Sequence, residues 1–103
     1  MKLKFTKKPL PPTLNYVGEA YYLSQLVDPL DASMPYQCVI SRYRNDFPGE
    51  SAGMYEVTAK YMWEKKPKNK DGFLMSHDYL GTFKYLADAK AAAQQHIDKL
   101  SSI

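Results

Sequence analysis

Few side chains in this chain of 103 residues could do chemistry near neutral pH: His77 and His96, the single cysteine Cys38, and eleven carboxylates. Neither histidine has the close His, Cys or carboxylate spacing of a zinc site, so no metal is expected. Ser76, His77 and Asp78 are consecutive, and neighbouring residues of an extended chain point in different directions, so they do not read as a triad. His77 reads as a loop histidine facing water. His96 falls near the apolar stripe of the last helical segment and reads as a packing residue rather than a base. Gly49, Gly53, Gly72 and Gly81 stand apart and open no helix, which excludes a phosphate-cradling loop. The acids are scattered over turns and wet faces instead of converging as a pair. The sequence therefore predicts no catalytic residue, no cofactor and a non-enzymatic protein.

What stands out is the aromatic load, nine tyrosines, four phenylalanines and one tryptophan, beside a basicity that is local. Residues 1–18 carry four lysines and no acid. Lys60, Lys65, Lys66, Lys68 and Lys70 form a second patch against Glu64 alone, while the whole chain is only +3. Patches of this size attract phosphate or an acidic protein surface without making the strongly basic face of a dedicated nucleic-acid binder. Tyrosine and tryptophan bring large contact area at small rotamer cost. The residues expected to meet a partner are Trp63, Lys65, Lys66, Lys68 and Lys70 around a hairpin, with Arg42 and Arg44 on the neighbouring strand. Tyr16, Tyr21, Tyr22, Tyr36 and Tyr43 are too many to bury together, and some are expected on a contact surface.

The elements that must position these groups follow from pattern. At 45% hydrophobic and 24% charged, the chain has the composition of one packed domain. Lone Cys38 makes no intramolecular bridge, and no apolar run approaches membrane-spanning length. The positive N-terminus has no apolar stretch after it, which points to the cytoplasm. Residues 1–14 read as a basic, proline-rich arm and 15–103 as the domain. Tyr16, Ala20, Leu23 and Val27 recur at helical spacing after Asn15, predicting a helix that Asp28-Pro29 ends. Residues 36–44 read as a strand, and 45–53 as a turn. In 54–63, Tyr55, Val57, Ala59, Tyr61 and Trp63 alternate with wetter residues, the pattern of a half-buried strand. A lysine-rich turn follows, then a strand over 79–85 with Tyr79, Phe83 and Tyr85 on one side and Gly81 marking a bulge. Leu86, Ala89, Ala93, Ile97 and Leu100 predict the last helix. The expected fold is α+β, ordered α-β-β-β-α, a three-stranded antiparallel sheet with the C-terminal helix packed on one face.

Two resemblances arise within residues 36–100. A strand ending at Trp63, a lysine-rich hairpin, Leu80-Gly81-Thr82-Phe83 and then Leu86 to Ala93 resembles the strand-strand-helix ending of small phage and prophage accessory proteins. That likeness implies a short domain acting in a bacterial host cytosol by binding and modulating a host protein or defence complex. The helix, three strands, helix order, with Ala89-Lys90 and Ala92-Ala93 in the last helix, resembles the double-stranded RNA-binding domain and implies nucleic acid as an alternative partner. This chain departs from that family at both contact regions: an acid, Asp88, stands where its final helix opens with lysines, and Phe47-Pro48-Gly49-Glu50 contains no histidine. Homodimerisation through an uncovered strand edge is a third reading.

Overall fold

The computed structural model describes residues 2–9, 17–28, 36–46, 48–50, 52–62 and 75–101. Within them the chain forms five strands and a helix: β1 (Phe5–Lys8), β2 (Val17–Ser24), β3 (Tyr36–Tyr43), β4 (Tyr55–Met62), β5 (Met75–Phe83) and α1 (Leu86–Ser101). The strands make one antiparallel meander in the order β1-β2-β3-β4-β5. The fold is α+β, but the sheet has five strands, not three.

The correction lies in the N-terminal third. The segment expected to be a helix is β2, with Tyr21, Tyr22 and Leu23 opposite Ser41, Ile40 and Val39 of β3. Its apolar residues fit a period of 3.6, yet Val17 and the two tyrosines favour the pleated surface and Gly18 weakens a helix. Position between two strands decided the matter, since β1 and β3 supply hydrogen-bonding partners on both of its edges. With a strand here, the helix, three strands, helix order behind the likeness to the double-stranded RNA-binding domain is not the order of this chain.

Part of the basic N-terminal stretch belongs to the sheet. Phe5–Lys8 pairs with Ser24–Tyr21, and Gln25 clamps the preceding residues by donating to the Lys2 carbonyl at 3.0 Å and accepting from the Lys4 amide at 2.8 Å. Leu3, buried, donates its amide to Gln94 Oε1 of α1 at 2.8 Å. A short edge strand rich in lysine is one way a sheet discourages pairing with other chains.

Helix α1 covers one face, packing on β3, β4 and β5. Ala89, Ala93 and Ile97, one turn apart and fully buried, meet Tyr36, Cys38, Ile40, Val57 and Ala59. The two small alanines let the helix lie close to the strands, and Leu86 and Leu100 extend the seam, as the sequence spacing predicts. Asp88 in the first turn and Lys99 in the last complement the helix dipole. Ser24 is the buried polar residue among these groups, and its hydroxyl is satisfied twice: it accepts from the Cys38 amide and donates to the Gln25 carbonyl, both at 2.9 Å.

A bulge in β5 sets which side chains face which way. Val57 pairs with Gly81 but Thr58 pairs with Tyr79, so Leu80 is the extra residue. Gly81 sits at φ +133° with the Phe83 ring against it; a Cβ there would lie 3.0 Å from Phe83 Cζ. Inserting one residue reverses the alternation. Phe83 packs on the core, while Tyr79 is 64% exposed, and Tyr85, beyond the strand, is 60% exposed. The three aromatics expected to share one side therefore do not, although the bulge at Gly81 is where the sequence predicts it.

Candidate functional site

Of the residues expected to form a contact patch, the structure describes two. Arg42, the last but one residue of β3, has its guanidinium carbon 5.8 Å from the Tyr55 ring centroid, and it donates from Nη2 to Asn45 Oδ1 at 3.2 Å. Arg44 pairs with Asp46 at 3.4 Å on the surface. Both arginines thus brace the turn between β3 and β4, which closes through Tyr43 N–H to the Met54 carbonyl at 3.0 Å. Trp63, Lys65, Lys66, Lys68 and Lys70 lie outside the described residues. The chain leaves for them at Met62, at the other end of β4 from Tyr55, the partner of Arg42. Seven residues of strand separate the two ends, roughly 23 Å. The arginines and the point where the lysine segment begins are therefore at opposite ends of the sheet.

The residues with chemical potential are also dispersed. His77 pairs with Lys60 and Asp78 with Ala59, so they occupy alternating positions of β5, a strand rather than a loop. His96 lies on α1 with its ring stacked on Tyr36, centroids 5.7 Å apart and planes at 27°. Burial holds its pKa below the ordinary histidine value, with the nearby Asp78 carboxylate opposing. This is the packing role expected from its place beside the apolar stripe. Tyr36 in turn shares a hydrogen with Cys38 Sγ at 2.9 Å, both fully buried. Burial pushes the Cys38 thiol up from 9.0 to about 11. Among the described residues no group of three His, Cys, Asp or Glu side chains is placed to hold a metal ion.

Cys38 supplies a test of this packing. Its thiol keeps its proton longer in the folded than in the unfolded chain, so the stability it contributes is present below pH 9 and is lost as pH rises from 9 towards 11. The difference in urea midpoint between wild type and Cys38→Ala is expected to shrink across that window. A thiol reagent at pH 8 is expected to label the native protein only at the rate of unfolding. Immediate labelling would mean that the α1–sheet seam is open at Tyr36.

The arrangement with binding potential is the face of the sheet opposite α1. One register row, Thr6, Leu23, Val39, Thr58 and Tyr79, crosses all five strands. Five strands span about 19 Å in the hydrogen-bonding direction. The centre of the row is apolar and crowded enough to leave Val39 7% exposed, although among the described residues no element lies over it. The next row is Lys8, Tyr21, Ser41, Glu56 and Thr82, which is polar and of mixed charge. The Tyr79 hydroxyl ties the two rows together through its hydrogen bond with Thr82 Oγ1, and Tyr43, two residues beyond Ser41 on β3, donates its hydroxyl to Glu56. An apolar centre with a polar rim is the anatomy of a protein interface.

Leu23, Val39 and Tyr79 are not among the contact residues expected from sequence, whereas Tyr21 is one of the five tyrosines of which some are expected on a contact surface. The signal for them is the pair Tyr21-Tyr22: adjacent aromatics can both be used by a strand, one on each face, and Tyr22 packs against the core while Tyr21 takes the other side.

A second feature is a shallow groove of about 360 Å³ between β5 and α1. Leu80, Phe83 and Ala92 supply its apolar lining, and Gln95, His96 and Lys99 its polar side. No helix among the described residues is long and apolar enough to cross a membrane. Comparison with family models, with curated proteins and with solved structures finds no match.

Proposed function

We propose that this chain is a non-enzymatic protein-binding module, an accessory factor that docks the face of its sheet opposite α1 on a protein of a bacterial host. The observation that supports this reading is the row Leu23, Val39, Thr58 and Tyr79, flanked by Tyr21, Ser41, Glu56 and Thr82. A sheet face turned only to water has no use for Leu23 and Val39 at the middle of a row that ends on an exposed tyrosine, Tyr79. Charge favours protein over nucleic acid as the occupant. The face presents Lys8 and Lys60 against Glu56, too balanced to hold a phosphate backbone by counterion release.

The test is affinity capture from a bacterial lysate treated with nuclease, followed by identification and direct binding of the captured protein. Wild type is expected to retain one host protein, and Tyr21→Arg/Thr58→Arg is expected to lose it while its circular dichroism is unchanged. Neither residue is part of the buried core, so the double variant keeps the fold. Reversal of Lys65, Lys66, Lys68 and Lys70 to glutamate tests the lysine segment separately. Equal capture by the double variant would remove the sheet face from the account, and capture abolished by nuclease would make the ligand a nucleic acid.

A further inference from the structure

The two edges of the sheet are built differently. β1 has four residues, two of them Lys7 and Lys8, and Lys4 precedes it. β5 has nine residues, contains neither lysine nor proline, and among the described residues has no strand on its outer side. One edge is blunted by shortness and lysines, while the other is more than twice as long and carries a bulge and one acid, Asp78. The longer edge also borders the groove against α1.

We propose that the β5 edge and the adjoining groove form a second binding site, which takes an extended segment of another protein as a sixth strand. The edge determines the class of ligand. It offers backbone N–H and C=O groups in a two-residue repeat that only an extended chain can match, while alternate side chains of the added strand are read by pockets beside it. Here the pocket is the groove: Leu80, Phe83 and Ala92 receive an apolar side chain. The bulge at Leu80 serves this arrangement, because it turns Leu80 and Phe83 onto the helix side, where both pack against the core. Charge fixes the flanks of the ligand. Lys84 follows the end of β5 and Lys99 lines the groove from α1, whereas Asp78 lies towards the other end of β5 near His96, so acidic residues suit the flank of the apolar anchor that meets the lysines.

A second copy of this chain fits the edge less well. Antiparallel self-pairing centred on Tyr79 puts both bulges into the seam. Moving the centre by one residue sets Asp78 against Asp78, and like charges directly opposite are unfavourable. Tyr79 lines this groove and also ends the Leu23–Val39 row, so the two sites meet at Tyr79, and variants placed away from it separate them.

The experiment selects ligands for the purified full chain from a displayed library of random peptides and carries the best binder forward as a synthetic peptide. The selected peptides are expected to hold an apolar anchor with acidic residues on the flank that meets Lys84 and Lys99. Amide chemical shifts should move along residues 75–83 and 92–99. N-methylation of the peptide backbone should weaken binding about tenfold at every second position, the effect of losing one strand hydrogen bond. Ala92→Arg is expected to weaken binding by a similar factor, and Gln95→Trp, at an exposed position on the rim, checks the same groove should the first variant fold poorly. Tyr21→Arg, on the docking face three strands away from β5, should bind as wild type does. Failure to select any peptide, a flat N-methylation profile, shifts confined to β1 or to the Leu23–Val39 row, or a dimer in sedimentation that pairs through β5 would each overturn the proposal.

Discussion

Replacing Ile40 by alanine is expected to destabilise the protein by about 3 kcal/mol, the middle of the range for emptying a fully buried aliphatic site. Ile40 is 0% exposed and sits at the crossing of the two packing directions. Its register neighbours are Tyr22 on β2 and Val57 on β4, and it belongs to the same buried cluster as Ala89, Ala93 and Ile97 of α1. The surrounding strands are fixed by their hydrogen bonds on both sides, so the site has little freedom to collapse around the missing atoms. For a domain of this size the melting temperature should fall by roughly 15 °C. Urea unfolding followed by circular dichroism checks the figure. A loss below about 1 kcal/mol would mean that the centre of the core lies elsewhere.

Gly81→Ala is expected to be comparably severe, at about 2–4 kcal/mol, through two separable causes. The φ of +133° is one that residues with a side chain rarely adopt, and the new Cβ would stand 3.0 Å from the Phe83 ring. The ring is an end of a side chain and could swing away, but Phe83 covers the edge of the core beside Tyr55, its partner across β4 and β5. A double-mutant cycle with Phe83→Leu distinguishes the causes. Loss of the ring should recover the contact penalty and leave the backbone penalty, so the double variant should be less destabilised than the two single changes added together. Strict additivity would show that the ring contact plays no part. This site also aims side chains: straightening β5 would return Tyr79 to the helix side and remove it from the outer row.

Much of the fold is legible in the residues, and the failures share a cause. α1 announces itself because Leu86, Ala89, Ala93, Ile97 and Leu100 repeat at a single period and their surroundings are helix formers. β4 does so because Val57 and Ala59 alternate with Glu56, Thr58 and Lys60. β2 reads as a helix because a central strand with aromatic or apolar residues on both faces shows no alternation, and its apolar residues then satisfy a helical period by accident. β1 gives no strand pattern, because lysines at an edge resemble a solvated arm. With β2 in the sheet no second helix stands over the face opposite α1 among the described residues. No local pattern carries that consequence, since it depends on which segments join the sheet. The expected contact residues followed charge instead, and charge led to Arg42 and Arg44, which the structure shows bracing a turn through Asn45 and Asp46.

The docking face is tested most directly by titrating the captured host protein, purified, into wild type and into the Tyr21→Arg/Thr58→Arg variant in a calorimeter. Truncating or charging the centre of a protein interface typically weakens it by 2 kcal/mol or more. The account predicts a loss of at least about thirtyfold in affinity for the variant at unchanged melting temperature. Affinities that agree within about twofold would place the partner on another surface and contradict it.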